Sequence, residues 1–117
     1  PGRRIAAAKR AVLDLSESGY TTPVVRKDIK VLGRSALGAL YAGIHGMTRA
    51  GYATEHDALV ARKLAYVMCG GDLSEPTRVD EAYLLDLERE AFLSLTGEKK
   101  TLERMQSVLK GGKPIRN

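Results

Sequence analysis

Apolar side chains recur along this sequence at the spacing of a helix face, and glycine closes each such stretch. Over 3–18, Ile5, Ala8, Val12 and Leu15 share one side, with Lys9 and Arg10 off it. Over 34–50, Leu37, Leu40, Tyr41, Ile44 and Met47 stand at i, i+3, i+4, i+7 and i+10, the pattern of a buried face. Val60, Leu64, Val67 and Met68 do the same over 54–69, Leu84, Leu87, Ala91 and Leu95 over 79–95, and Leu102, Met105, Val108 and Leu109 over 98–110. Gly19, Gly51, the Gly70-Gly71 pair, Gly97 and the Gly111-Gly112 pair follow these stretches. Helices commonly end on a residue with positive φ, which glycine adopts at little cost. The pattern predicts an all-α fold, a compact bundle of about five short helices in a single domain.

Start signals support this division. Thr54 suits an N-cap, and Asp57 three positions later stands in for the usual Glu of a capping box. Thr77 with Asp80 repeats the arrangement before the fourth helix. The stretch 20–32, "YTTPVVRKDIKVL", holds Pro23 and β-branched residues and could be extended. With no second strand evident to pair with it, it reads as a packed loop. In the second helix Gly38, Ala42 and Gly46 recur every fourth residue, a stripe that lets another backbone approach closely. An internal helix crossing is the preferred explanation, a subunit interface the other.

Composition narrows the class. Apolar residues make up 44% and charged residues 28%, as in a soluble globular domain, while 5% aromatics and no Trp imply an aliphatic core. The chain opens on Pro1 rather than Met, which suggests a piece of a longer protein or a processed product. The formal charge of +5 is compatible with polyanions, whether nucleic acid or the phosphates of a cofactor. The single cysteine, Cys69, asks for no oxidising compartment, and no apolar run approaches the roughly 20 residues of a membrane span. A cytoplasmic location is expected, with no membrane partner.

The residues offer little for catalysis. A nucleophile and base would need a histidine with an orienting acid, and the two here, His45 in an apolar helix and His56 in a first turn, read as structural or solvated. Cys69 stands alone, and "EHD" lacks a second ligand at helical spacing, so no metal is expected. The ending "VLKGGKPIRN" looks like a phosphate loop but follows a helix, has no hydroxyl after Lys113, and loses a donor at Pro114. What survives is a cluster of charges, Lys110, Lys113 and Arg116. These suit a phosphate; they equally complement the negative end of a helix dipole.

One family resemblance adds to this. Residues 64–117, most specifically "YLLDLEREAFLSL", "TGEKKT", "ERM" and "GKPIRN", resemble the C-terminal end of bacterial 3-hydroxyacyl-CoA dehydrogenase/enoyl-CoA hydratase multifunctional proteins of fatty-acid β-oxidation. Upstream, "GYTTP", "KVLGR", "GIHGM", "AGY" and "EHD" look similar too. The resemblance implies an end fragment of a larger α/β enzyme, whose NAD-binding dehydrogenase domain and crotonase-like hydratase region lie upstream. The oxyanion hole and catalytic glutamates of the crotonase fold would belong to that upstream part, so no catalytic residue and no bound cofactor is implied for this stretch, while NAD is expected in the dehydrogenase domain. The final helices resemble those that cover the acyl-CoA site in crotonases and support subunit assembly. By that likeness Lys113, helped by Lys110 and Arg116, would meet CoA phosphate. Leu95 falls where an aromatic is usual, with Phe92 one turn earlier. The implied partners are an acyl-CoA substrate, the remaining domains of the same chain and a possible homo-oligomer; a basic nucleic-acid-binding module and a pure assembly module are the alternatives.

Overall fold

A computed structural model describes residues 2–117. The chain runs α1 (Gly2–Glu17), β1 (Ile29–Val31), α2 (Gly33–Arg49), α3 (Glu55–Met68), β2 (Thr77–Val79), α4 (Glu81–Thr96) and α5 (Lys99–Gly111). The five expected helices are all present, in a mostly helical fold that contains one small two-stranded sheet.

That sheet corrects two expectations. Residues 29–31 are not a packed loop: β1 pairs antiparallel with β2, with Ile29 opposite Val79 and Val31 opposite Thr77. The partner lies fifty positions downstream, beyond two helices, where no short-range pattern can announce it. Thr77 consequently belongs to β2 rather than to a capping box, and Asp80 caps α4 by accepting a hydrogen bond from the Tyr83 N–H at 2.8 Å.

The core sits at the α2–α3 crossing, where Leu37, Ala65 and Cys69 are buried beneath Ala36, Tyr41, Ile44 and Tyr66. Val31 is the most completely buried side chain, at 2% exposure. Its β1 backbone leads straight into α2, whose first residue, Gly33, holds φ at 74°. Gly33 N–H donates to the Cys69 carbonyl and Arg34 N–H to that of Leu73, which fastens the start of α2 to the end of α3. Tyr83 adds α4 to the same point by donating its hydroxyl to the Gly70 carbonyl at 2.7 Å.

Elsewhere the apolar stripes are only partly used. Leu84, Leu87, Ala91 and Leu95 of α4 are half-buried, as their spacing predicts. In α3 the buried positions are His56, Ala58 and Ala65, whereas Leu64 and Met68 are exposed. The face of α5 is inverted: Leu102, Met105, Val108 and Leu109 point out, and the polar Thr101, Glu103, Arg104 and Ser107 are the more buried. Helix α1 has no buried residue, and Ile5, Val12, Leu13 and Leu15 stay more than half exposed. Gly38, Gly43 and Gly46 have nothing within 4 Å of a Cβ, so the preferred explanation of the stripe, an internal crossing, does not hold.

Candidate functional site

Two features of the helical part merit attention, a groove and a tail. The groove lies between α3 and α4, about 570 Å³ in volume, walled by Val60, Leu64, Val67, Leu85, Phe92 and Leu95. Its apolar wall exists because α3 turns Leu64 and Val67 away from the α2 contact, while α4 half-buries Leu84 and Leu87 and leaves Leu85 and Phe92 open. Lys63, Glu88 and Arg89 also line it. A concave apolar surface of this size with few polar groups is the usual form of a small-molecule pocket. Of the two cations on its wall, Arg89 pairs with Asp86 at 3.5 Å, and Lys63 forms no ion pair among the described residues.

The tail folds back on α5. Gly112 caps that helix in the left-handed region at φ 75°, and its N–H donates to the Val108 carbonyl. Ser107 Oγ donates to the Lys113 carbonyl at 2.6 Å, and Arg116 donates to the Tyr52 carbonyl at 3.1 Å. Arg104 closes the arrangement. Its Nε donates to Asn117 Oδ1 at 2.6 Å, and its Nη1 meets Asp57 Oδ1 at 2.8 Å. Asp57 is itself in a complete capping box: its N–H donates to Thr54 Oγ1 at 3.0 Å, and its carboxylate accepts from the Thr54 N–H at 2.9 Å. That backbone N–H, against the opposing cost of burial and with further help from Arg104, holds the Asp57 carboxyl below its ordinary range.

Of the expected phosphate-binding residues, Lys110 lies in the last turn of α5, and Lys113 and Arg116 lie in the tail, all exposed. Arg116 is committed to the turn before α3. Among the described residues, neither Lys110 nor Lys113 forms an ion pair. Phe92 and Leu95 are brought together, one turn apart on the groove wall. Arg104 and Asn117 lie within "ERM" and "GKPIRN", but sequence reasoning assigns neither a role. An arginine on a helix otherwise marked by an apolar stripe reads as a solvated charge, and only the tail's return reveals what it holds.

His45 is exposed, and buried His56 shares a 2.9 Å hydrogen bond with Thr101 Oγ1, a link between α3 and α5. Cys69 is buried and free. Among the described residues there is no cluster of three potential metal ligands and no helix long and apolar enough to cross a membrane.

Comparison with known proteins gives these features a setting. The chain is 49% identical over 110 residues to a protein of Bacillus subtilis (strain 168) named "Probable 3-hydroxyacyl-CoA dehydrogenase". The chain is related to a segment of that dehydrogenase. The match takes in 94% of this chain and 14% of the dehydrogenase, so the chain spans about one seventh of its relative's length. No family model and no solved structure matches the chain. The name of the Bacillus subtilis dehydrogenase agrees with the dehydrogenase half of the sequence resemblance, and it says nothing of a hydratase.

Proposed function

We propose that this chain is the C-terminal helical region of a 3-hydroxyacyl-CoA dehydrogenase/enoyl-CoA hydratase of fatty-acid β-oxidation, and that it covers the acyl-CoA site and supports assembly. The observation that carries the reading is the 49% identity to a 3-hydroxyacyl-CoA dehydrogenase across 94% of the chain. The geometry is consistent with a covering role. The α3–α4 groove is apolar and open, as a wall of an acyl pocket would be, and Lys113 extends from an exposed tail with its ammonium free of ion pairs among the described residues. Lys113, with Lys110 and Arg116 nearby in sequence, would attract CoA phosphate, which positions substrate and leaves the chemistry to groups elsewhere in the parent protein. NAD would serve the dehydrogenase step in another domain. The fragment alone is expected to be inactive, and the parent enzyme to be cytoplasmic.

The assembly part of the proposal has its own support. Open space around Gly38 and Gly46 leaves the small-residue side of α2 available to another element. The test of the substrate reading is Lys113→Ala in the full-length protein. The affinity for acyl-CoA is expected to fall about 2- to 5-fold, the effect of losing an exposed charge pair. Unchanged acyl-CoA affinity would remove Lys113 from the proposal.

A further inference from the structure

Residues 112–117 follow α5, and an exposed segment beyond a helix end normally frays unless something ties it down. Here both ends are tied. At the near end Ser107 Oγ holds the Lys113 carbonyl at 2.6 Å, just past the left-handed turn at Gly112. Pro114 then limits the backbone by fixing its φ. At the far end the Asn117 side-chain amide donates to the Lys100 carbonyl and to Glu103 Oε2, both at 3.0 Å. The Asn117 side-chain and main-chain oxygens accept from Arg104 at 2.6 and 3.1 Å. Arg104 is steadied in turn by Asp57 at 2.8 Å and Thr54 Oγ1 at 3.4 Å, and its side chain is 21% exposed. One guanidinium therefore serves the tail and the α3 cap together. Only a planar fork with five donors reaches so many acceptors at once; an ammonium in its place is a compact point with three.

We propose that Arg104 is a positioning residue that holds the tail as a strap between α5 and the start of α3, and thereby sets where Lys113 meets the phosphates of CoA. The inference rests on the reading of Lys113 given above. A lysine on a loose tail must lose both backbone and side-chain freedom when it binds, whereas one on a strap fixed at both ends loses mainly the freedom of its own stem. Arg104 thus acts on substrate through the strap and touches no reacting atom.

The test uses the full-length protein and three variants, Arg104→Lys, Asn117→Ala and Lys113→Ala. The methyl order parameter of Ile115, measured by NMR, reports the ordering of the strap. KM is measured with an acyl-CoA and with the matching acyl-pantetheine thioester, which lacks the nucleotide phosphates. Asn117→Ala leaves the Arg104 and Asp57 pair intact, so it remains informative if Arg104→Lys disturbs the α3 cap. Both strap variants are expected to lower the Ile115 order parameter by about a third and to raise KM for acyl-CoA about 2- to 5-fold, with kcat and the acyl-pantetheine KM unchanged. An unchanged Ile115 order parameter in both overturns the inference whatever Lys113 does. A lowered order parameter with no change in KM also overturns it, provided Lys113→Ala raises KM for acyl-CoA alone; the Lys113 reading then stands. If Lys113→Ala leaves both KM values as they were, that reading fails and takes the role of Arg104 in CoA binding with it.

Discussion

Asp57 occupies the third position of α3, accepts from the Thr54 N–H at 2.9 Å and pairs with Arg104 at 2.8 Å. These interactions favour its charged form, so its folded pKa is lower than that of the unfolded chain. A depressed carboxyl contributes stability that is present above the unfolded pKa, near ~4, and is lost as pH falls through the folded value. The unfolding midpoint is therefore expected to drop as the solution is taken below about pH 4, and Asp57→Asn should lower stability at neutral pH while flattening that acid limb. Urea titrations at several pH values would show it; an acid limb of equal slope in the variant would rule it out. Thr54→Ala removes the other half of the box and is expected to cost about 1 kcal/mol at neutral pH, measured in the same way. The cap itself was legible in "TEHDA", because its spacing is local. The link from Asp57 to Arg104 was not, since the two residues lie 47 positions apart and meet only when α5 returns to α3.

Among the elements, the helices were readable because each carries its own period and its own stop, while their buried faces were readable only in part. Helix α4 packs on its predicted stripe, but α5 turns its polar side inward to hold the tail, an inversion that periodicity cannot foresee. The glycines distinguish local from tertiary demands. Gly70 has φ 82°, and a Cβ there would stand 2.5 Å from Val31 Cγ2 and 2.9 Å from Val31 Cβ. Gly70→Ala is expected to destabilise by more than about 2 kcal/mol, combining strained backbone with a displaced core residue. Gly46 makes the opposite case. It lies within α2 with nothing within 4 Å, so Gly46→Ala in the isolated 117-residue chain should stabilise by up to ~1 kcal/mol through helix propensity. Thermal melts of the two variants against the parent chain would decide both; a destabilised Gly46→Ala chain would mean that this face is already in close contact.

At the scale of the whole molecule the surface is large for the mass. The chain exposes 9182 Å², where a folded monomer of 12.7 kDa exposes roughly 6,200 Å². Its radius of gyration is 19.6 Å, against about 13 Å for a compact chain of 117 residues. The excess is apolar in important places, including the α1 stripe, the outer face of α5 and the α3–α4 groove. A surplus of roughly 3,000 Å² is the scale of a large permanent interface, which suits a segment built against other parts of a longer protein. On its own the chain is expected to associate as its concentration rises, observable as growth in mass by light scattering between about 1 and 100 μM. A monodisperse monomer throughout that range would count against it.

The short sheet has a further bearing, on how the chain folds. By pairing Ile29 with Val79 it brings together two points fifty residues apart, so that α2 and α3 form a closed loop with a three-residue neck. Closing such a loop costs entropy before its contacts repay it, whereas the α2–α3 hairpin depends on nearer neighbours. The hairpin should therefore form first and the neck last, giving Val31→Ala a faster unfolding rate with little change in the folding rate.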